Sequence, residues 1–260
     1  ANPVTGDQVA MTNHHWKFSV NALREGLGVS RFLLLNDFTA LALSLTRLPN
    51  AQKHQVGGGT AAPDAAIGLI GPGTGLGVSG LFPVGYQHKW IPIAGEGGHV
   101  TLTATTEHEF AVIQQLQKRY GHVSAERVIS GAGLVDLYHA LCDLKDGQGR
   151  EITTPAEVIE RAHDVPTSTA NEALDMFCGF LGSVAGDLAL TLGARGGIYI
   201  GGGIVPRLGE RFEASPFRER FEAKGRFKKY LQEVPTWVIH SPVSPALQGA
   251  SQALSLTQWQ

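Results

Sequence analysis

The stretch Ile67-Gly-Leu-Ile-Gly-Pro-Gly-Thr-Gly-Leu-Gly-Val78 constrains the fold most: an apolar run, a glycine-dense turn and a second apolar run. Two apolar runs of strand length flanking a turn predict a β-hairpin over 66–83. Gly71, Gly73, Gly75 and Gly77 occupy every second position, more glycine than a hairpin turn requires. The surplus is read as functional. Glycine reaches backbone angles closed to other residues and lets main-chain N–H groups approach a ligand, and Thr74 adds a hydroxyl at the tip. Such a loop suits a phosphate or a sugar hydroxyl. Two commoner phosphate-binding patterns fail. Gly-x-Gly-x-x-Gly meets Leu76 or Val78 at its sixth place and no helix follows, and the Gly-Lys-Ser/Thr of a P-loop is absent.

The rest of the chain alternates strand and helix signals, which argues an α/β fold. Residues 19–26 read as a short helix, 29–35 as a buried strand and 38–48 as a helix with one apolar side. Residues 49–64, polar and rich in Gly, Ala and Gln, read as a linker or surface loop. More strand signal lies at 90–93. Phe110, Ile113, Leu116 and Tyr120 recur at helical spacing, with Gly121 as the stop. Thr154-Pro-Ala-Glu157 carries a cap, a first-position proline and a third-position glutamate, and Thr169-Ala-Asn-Glu172 opens a long helix to about residue 192. In that helix Gly179, Gly182, Gly186 and Ala189 share a face, which predicts close packing against a neighbour. A short strand ends in Gly201-Gly202-Gly203, a strand lies near 237–239, and a last helix starts at Pro245.

Composition narrows the functional classes. A net charge of −2 over 260 residues gives no electrostatic case for nucleic acid or an anionic membrane, so any phosphate must be held by a local site. Cys142 and Cys178 lie far apart and form no metal-ligand spacing, which points to a reducing compartment. The sequence shows no apolar run of about 20 residues and no signal-peptide core near its first residues, and the expected location is the cytoplasm. The opening Ala1, without methionine, reads as mid-domain sequence.

Three polar segments stand out. Asn36-Asp37 follows the apolar Phe32-Leu-Leu-Leu35 and precedes a helix; ligands gather at such strand ends, while one of the two residues would also serve as a helix cap. Gly95-Glu-Gly-Gly-His99 presents Glu96 and His99, whose carboxylate and imidazole suit vicinal hydroxyls, or else forms a turn. Ser124-Ala-Glu-Arg-Val-Ile-Ser-Gly131 reads as a helix start, with Glu126 as a first-turn acid. His14-His15 read as structural or solvated.

Taken in order, these segments resemble the bacterial glucokinase family of ATP-dependent hexose kinases. The likeness rests on Asn36-Asp-Phe-Thr-Ala40, Gly71 to Gly77, Gly95-Glu-Gly-Gly-His99, Gly121-His-Val-Ser-Ala-Glu-Arg-Val128, Gly201-Gly-Gly-Ile-Val-Pro-Arg207 and Lys224-Gly-Arg-Phe-Lys228, and it covers essentially the whole chain. The resemblance implies an actin-like, ribonuclease-H-like ATPase fold with two α/β domains. Residues 1–48 with the tail helix 245–260 would be the remainder of a small, incomplete domain, and 49–244 the large one. It implies Asp37 as catalytic base and Asn36, Glu96, His99 and Glu126 as glucose ligands. It further implies Gly73-Thr74-Gly75 as a phosphate loop and Gly201, Gly202 and Gly203 as an adenosine-side loop, with ATP and Mg²⁺ as co-substrate and cofactor. A cytoplasmic homodimer acting at the first step of glycolysis is the family-level expectation. The family's Asp-x-Gly-Gly-Thr loop is missing, which puts about 60 residues of the usual N-terminal domain before Ala1. A sugar-binding sensor without kinase activity is the alternative; it would not need Asp37. The related repressors and kinases with a cysteine-rich zinc motif are disfavoured, because the cysteines are absent.

Overall fold

The computed structural model describes residues 6–10, 15–85, 89–145, 147, 150–165 and 167–255. His14 and the last five residues of the tail lie outside them. A small antiparallel ribbon, β1 (Gln8–Ala10) and β2 (Lys17–Ser19), leads into α1 (Val20–Gly26), which Ser19 caps by accepting from the Ala22 amide. Helix α2 (Asp37–Ser44) follows, then strands β3 (Lys53–Val56), β4 (Ile67–Pro72), β5 (Leu76–Val84) and β6 (Lys89–Ala94). Next come α3 (Glu107–Tyr120), α4 (Gly131–Lys145), α5 (Pro155–Asp164), α6 (Thr169–Leu192) and β7 (Ile198–Ile200). Short helices α7 (Glu210–Glu213), α8 (Phe217–Glu222) and α9 (Lys228–Gln232) precede β8 (Thr236–Ile239) and α10 (Ala246–Ser255).

Six strands make one mixed sheet in the order β3-β8-β7-β4-β5-β6. The central β4, β7 and β8 run parallel, while β3, β5 and β6 are antiparallel to their neighbours. Alternation along each strand sends side chains to two layers. Ile70, Ile198, Ile200 and Val238 face a core with α3–α6 and α8, whereas Ile67, Leu69, Leu81, Tyr199 and Ile239 face α2 and α10. The two helices of the second layer pack on each other so closely that a side chain on Gly249 would collide with the Ala40 carbonyl.

The expected α6 glycine face packs as predicted. Side chains on Gly182 and Gly186 would strike the carbonyls of Phe217 and Phe221, so these glycines admit α8 against α6. The α5 capping box is complete: Thr154 accepts from the Glu157 amide, and the Glu157 carboxylate accepts from the Thr154 amide.

Several sequence expectations shift. Residues 29–35 form no strand; no described strand lies beside them to complete a ladder, and Val29 and Leu34 are exposed. The stretch read as a linker contains β3, an edge strand whose polar Lys-His-Gln sequence suits one paired edge and one exposed one. The cap of α6 is Ser168, one residue before Thr169, and Phe110 faces outward on α3. Glu126 sits in a turn ahead of α4 rather than in its first turn. Contrary to the expectation of no membrane-length apolar run, the 24-residue α6 is long and apolar enough by length and composition. Its most apolar window is 72% buried inside the protein, as a core helix would be.

Candidate active site at the carboxyl ends of the parallel strands

The carboxyl ends of β4 and β7 adjoin because the two strands are parallel, and such ends are where ligands gather in α/β sheets. The Gly201 N–H donates to the Ile70 carbonyl at 2.8 Å, which continues the ladder past β7. Gly202 then turns away with φ +80°, and a side chain there would collide with the Pro72 carbonyl. Gly202 and Gly203 are exposed beside the hairpin tip Gly73-Thr74-Gly75, which is closed by a 2.8 Å bond from the Gly73 N–H to the Gly75 carbonyl. Thr74 is exposed at the apex. A side chain on Gly73 or Gly203 would meet open space, so the backbone is accessible at both.

Asn36 and Asp37 divide the work at the start of α2. Asn36 Oδ1 accepts from the N–H groups of Phe38 (2.8 Å) and Thr39 (3.2 Å), a complete side-chain cap. Asp37 is exposed, and its carboxylate accepts from the adjacent Phe38 N–H (3.0 Å). The cap therefore does not need the Asp37 carboxylate.

Glu96, His99 and Glu126 are brought together through main-chain bonds. Glu96 precedes a 3₁₀ turn that ends in His99, with the His99 N–H donating to the Glu96 carbonyl (3.0 Å), and both residues are exposed. The Glu126 N–H donates to the Gly98 carbonyl (2.8 Å), and the Ala125 N–H to Val100 (2.9 Å), so this turn lies on the Gly95–His99 loop. Glu126 also reaches the hairpin: its Oε2 accepts from the Leu76 N–H at 2.9 Å. Glu126 thus joins the loop carrying Glu96 and His99, through its main chain, to the tip carrying Thr74, through its carboxylate.

Three of the alternating glycines, Gly71, Gly75 and Gly77, owe their identity to space rather than backbone angle. None of Gly71, Gly73, Gly75 and Gly77 has positive φ. A side chain on Gly75 would overlap the Glu126 carboxylate, and one on Gly77 the Phe38 ring. Two contributors escaped the sequence reading. Phe38 packs on Gly71 and Gly77, and Gly131 opens α4 by donating its N–H to the Gly73 carbonyl (2.9 Å), which sets a helix N-terminus at the tip. A glycine beginning an apolar helix pattern was the available signal for the second; the first left none.

Among the described residues no three His, Cys, Asp or Glu side chains converge into a metal-binding group.

A family model for glucokinase matches residues 1–257. The chain belongs to the glucokinase family. It is 54% identical to the glucokinase of Chromobacterium violaceum over 98% of this chain and 72% of that protein. It is 52% identical to the bifunctional protein glk of Paraburkholderia xenovorans over 98% of this chain and 39% of that longer protein. The solved glucokinase of an Antarctic psychrotroph superposes with a TM-score of 0.86 at 34% identity, covering 98% of this chain and 79% of that one. The family's actin-like ATPase fold accounts for the mixed sheet and for the clustering of loops at the ends of β4 and β7.

Proposed function

We propose that this protein is a glucokinase, transferring the γ-phosphate of ATP to the C6 hydroxyl of glucose. The observation that carries the reading is the exposed Asp37 at a capped helix start, in a chain whose family is glucokinase. A carboxylate that is not needed as a cap is free to accept a proton. In the reaction Asp37 takes the C6 hydroxyl proton as that oxygen attacks the γ-phosphorus; the bond from the γ-phosphorus to the β,γ-bridging oxygen breaks, and ADP leaves. Asn36, Glu96, His99 and Glu126 hold the sugar hydroxyls. The tip amides beyond Gly73, whose own N–H closes the turn, and the N-terminus of α4 serve the phosphates, and Gly201–Gly203 lies along the adenosine. Mg²⁺ bound with the nucleotide neutralises phosphate charge.

The domain division proposed is 1–48 with 245–260 against 49–244. The packing of α10 on α2 supports grouping those helices, while their shared layer on the sheet ties them to the larger unit. A cytoplasmic homodimer is proposed on the same family footing. The deciding experiment supplies ATP, Mg²⁺ and glucose and follows glucose 6-phosphate by phosphorus NMR together with ADP release. Stoichiometric product is expected. Calorimetric glucose binding without product would instead favour the sugar sensor.

A further inference from the structure

We infer that Phe38 is a positioning residue, whose ring, seated on the glycine pair Gly71 and Gly77, fixes Asp37 relative to the Gly73–Gly75 tip. The inference rests on the kinase reading for what the positioning is for, and on packing alone for its geometry. On the face of the β4–β5 hairpin that meets α2, the cross-strand pairs run Ile67 with Leu81, Leu69 with Ser79, and Gly71 with Gly77. Side-chain volume falls toward the tip and vanishes at the last pair. Phe38 fills the space. A Cβ on Gly71 would stand 2.7 Å from the ring's Cζ, and one on Gly77 would lie within the ring's own contact distance. Neither glycine has positive φ, so the conformation does not demand glycine; at Gly77 the ring does, and at Gly71 the ring together with the Gly201 main chain.

Phe38 follows Asp37 directly, and Asn36 clamps the same turn by accepting from the Phe38 and Thr39 amides. Further along α2, Leu41 enters the shared apolar layer, and a side chain on Gly201 would stand 3.0 Å from it. The helix is thereby held against both β4 and the Gly201 loop. A flat ring on a floor without side chains resists tilt as well as separation, because close-packed contacts are lost with a small gap. The base and the phosphate loop belong to distant segments of sequence, and this contact is the side-chain link between α2 and its strands that lies nearest the tip, beyond the apolar layer formed with Leu69 and Leu81.

The test uses the intact protein with Phe38→Leu, Gly77→Ala and the double variant. Misplacing a reacting group by about 1 Å can cost ~10²-fold, so Phe38→Leu should lower kcat by roughly 10- to 100-fold while the glucose KM moves less than about threefold. Amide exchange at Gly73 and Leu76 should quicken in the variant while exchange in α6 and the melting temperature stay near wild type. Gly77→Ala should give the same pattern by displacing the ring, and the double variant should be less impaired than the product of the two singles, since the smaller side chain relieves the overlap. Unchanged kcat with unchanged exchange at the tip would overturn the inference. So would losses that merely follow global melting, or singles whose effects multiply. If the wild type makes no glucose 6-phosphate, the kinase reading fails, and exchange at the tip still decides whether Phe38 fixes it.

Discussion

On the α3–α6 side of the sheet Phe177, Phe180, Phe217 and Phe221 are fully buried, whereas at the carboxyl ends of the strands Asp37, Thr74, Glu96 and His99 are exposed. Both regions use glycine for close approach. On α6, Gly182 and Gly186 admit the backbone of α8, and the result is a dense interior. At the hairpin, Gly71, Gly75 and Gly77 admit the Gly201 loop, a carboxylate and an aromatic ring, and the result is a face of open backbone. Large apolar volume buried in one region stabilises the frame. The other is held by directional main-chain bonds from Glu126, Ala125, Gly131 and Gly201, which fix geometry without covering it. Changes in the first region should therefore register in stability, and changes in the second in chemistry.

The largest separation is expected at Asp37. Asp37→Asn removes the proton acceptor, and a general base is worth ~10²–10⁴-fold, so kcat should fall by at least about two orders of magnitude. Asn36 keeps the cap, and the loss of one first-turn charge should cost less than about 1 kcal/mol of stability. Coupled ADP release and thermal melting on the same preparation measure the two quantities. Retained turnover would remove Asp37 from the role of base.

Phe177→Ala should do the reverse. Phe177 lies on α6 with no exposed surface, and a buried Phe→Ala change costs ~3–5 kcal/mol through lost burial and the cavity left behind. Denaturant unfolding should show that loss, while kcat per folded molecule stays within about twofold of wild type. A large fall in kcat with stability intact would break the contrast between the regions.

How far the sequence foretold these regions follows from the range of the interactions involved. The hairpin, the Thr154-Pro-Ala-Glu157 box and the α6 glycine stripe were legible because each is written within a few residues or one helical face. The strand expected at 29–35 failed because an apolar run makes a strand only where a neighbour accepts its ladder. Strand β3 was hidden for the complementary reason: its polar residues suit an edge that pairs with β8, nearly two hundred residues later. At the site, the residue types at Asn36, Asp37, Glu96, His99 and Glu126 could be picked out one by one, but which of Asn36 and Asp37 serves as the cap could not. That depends on one side-chain rotamer. Counting glycines drew attention to this loop, but the appeal to special backbone angles missed the packing at Gly71, Gly75 and Gly77, since nothing in the local sequence reveals that Phe38 and Glu126 lean against it.

Gly75→Ala probes the link between loop and carboxylate. The new methyl would overlap Glu126 and break the 2.9 Å bond from the Leu76 N–H. A hydrogen bond to a charged group contributes ~1.5–3 kcal/mol, and because both loops are at the surface the loss should fall on site geometry. Weakening of glucose or ATP binding by roughly tenfold, about 1.4 kcal/mol, is expected by calorimetry, with little change in melting temperature. Glu126→Gln, which keeps an acceptor for Leu76, should preserve ATP binding better than Gly75→Ala. Equal losses in the two variants would mean that the bond to Leu76 does not support the tip.

The smallest effect belongs to the helical side, at the exposed cap of α5. Thr154→Ala removes one arm of the capping box and should cost about 1 kcal/mol, with catalysis unaffected. The other arm titrates. The backbone N–H groups of Thr153 and Thr154, followed by the Thr154 hydroxyl, hold the Glu157 carboxyl below its ordinary 4.5, against a minor opposing effect of burial. Its folded value is the lower one, so the unfolded chain takes up the proton first as pH falls. The stabilisation from Glu157 is thus fully present above about pH 4.5 and is lost as pH drops through the folded value. Melting curves of wild type and Glu157→Gln should keep a constant gap from neutral pH to about 5 and converge in more acidic buffer. A gap that widens in acid would show the carboxylate to be unfavourable in the folded protein, and would remove the capping box from the interactions that make the helical side the stable one.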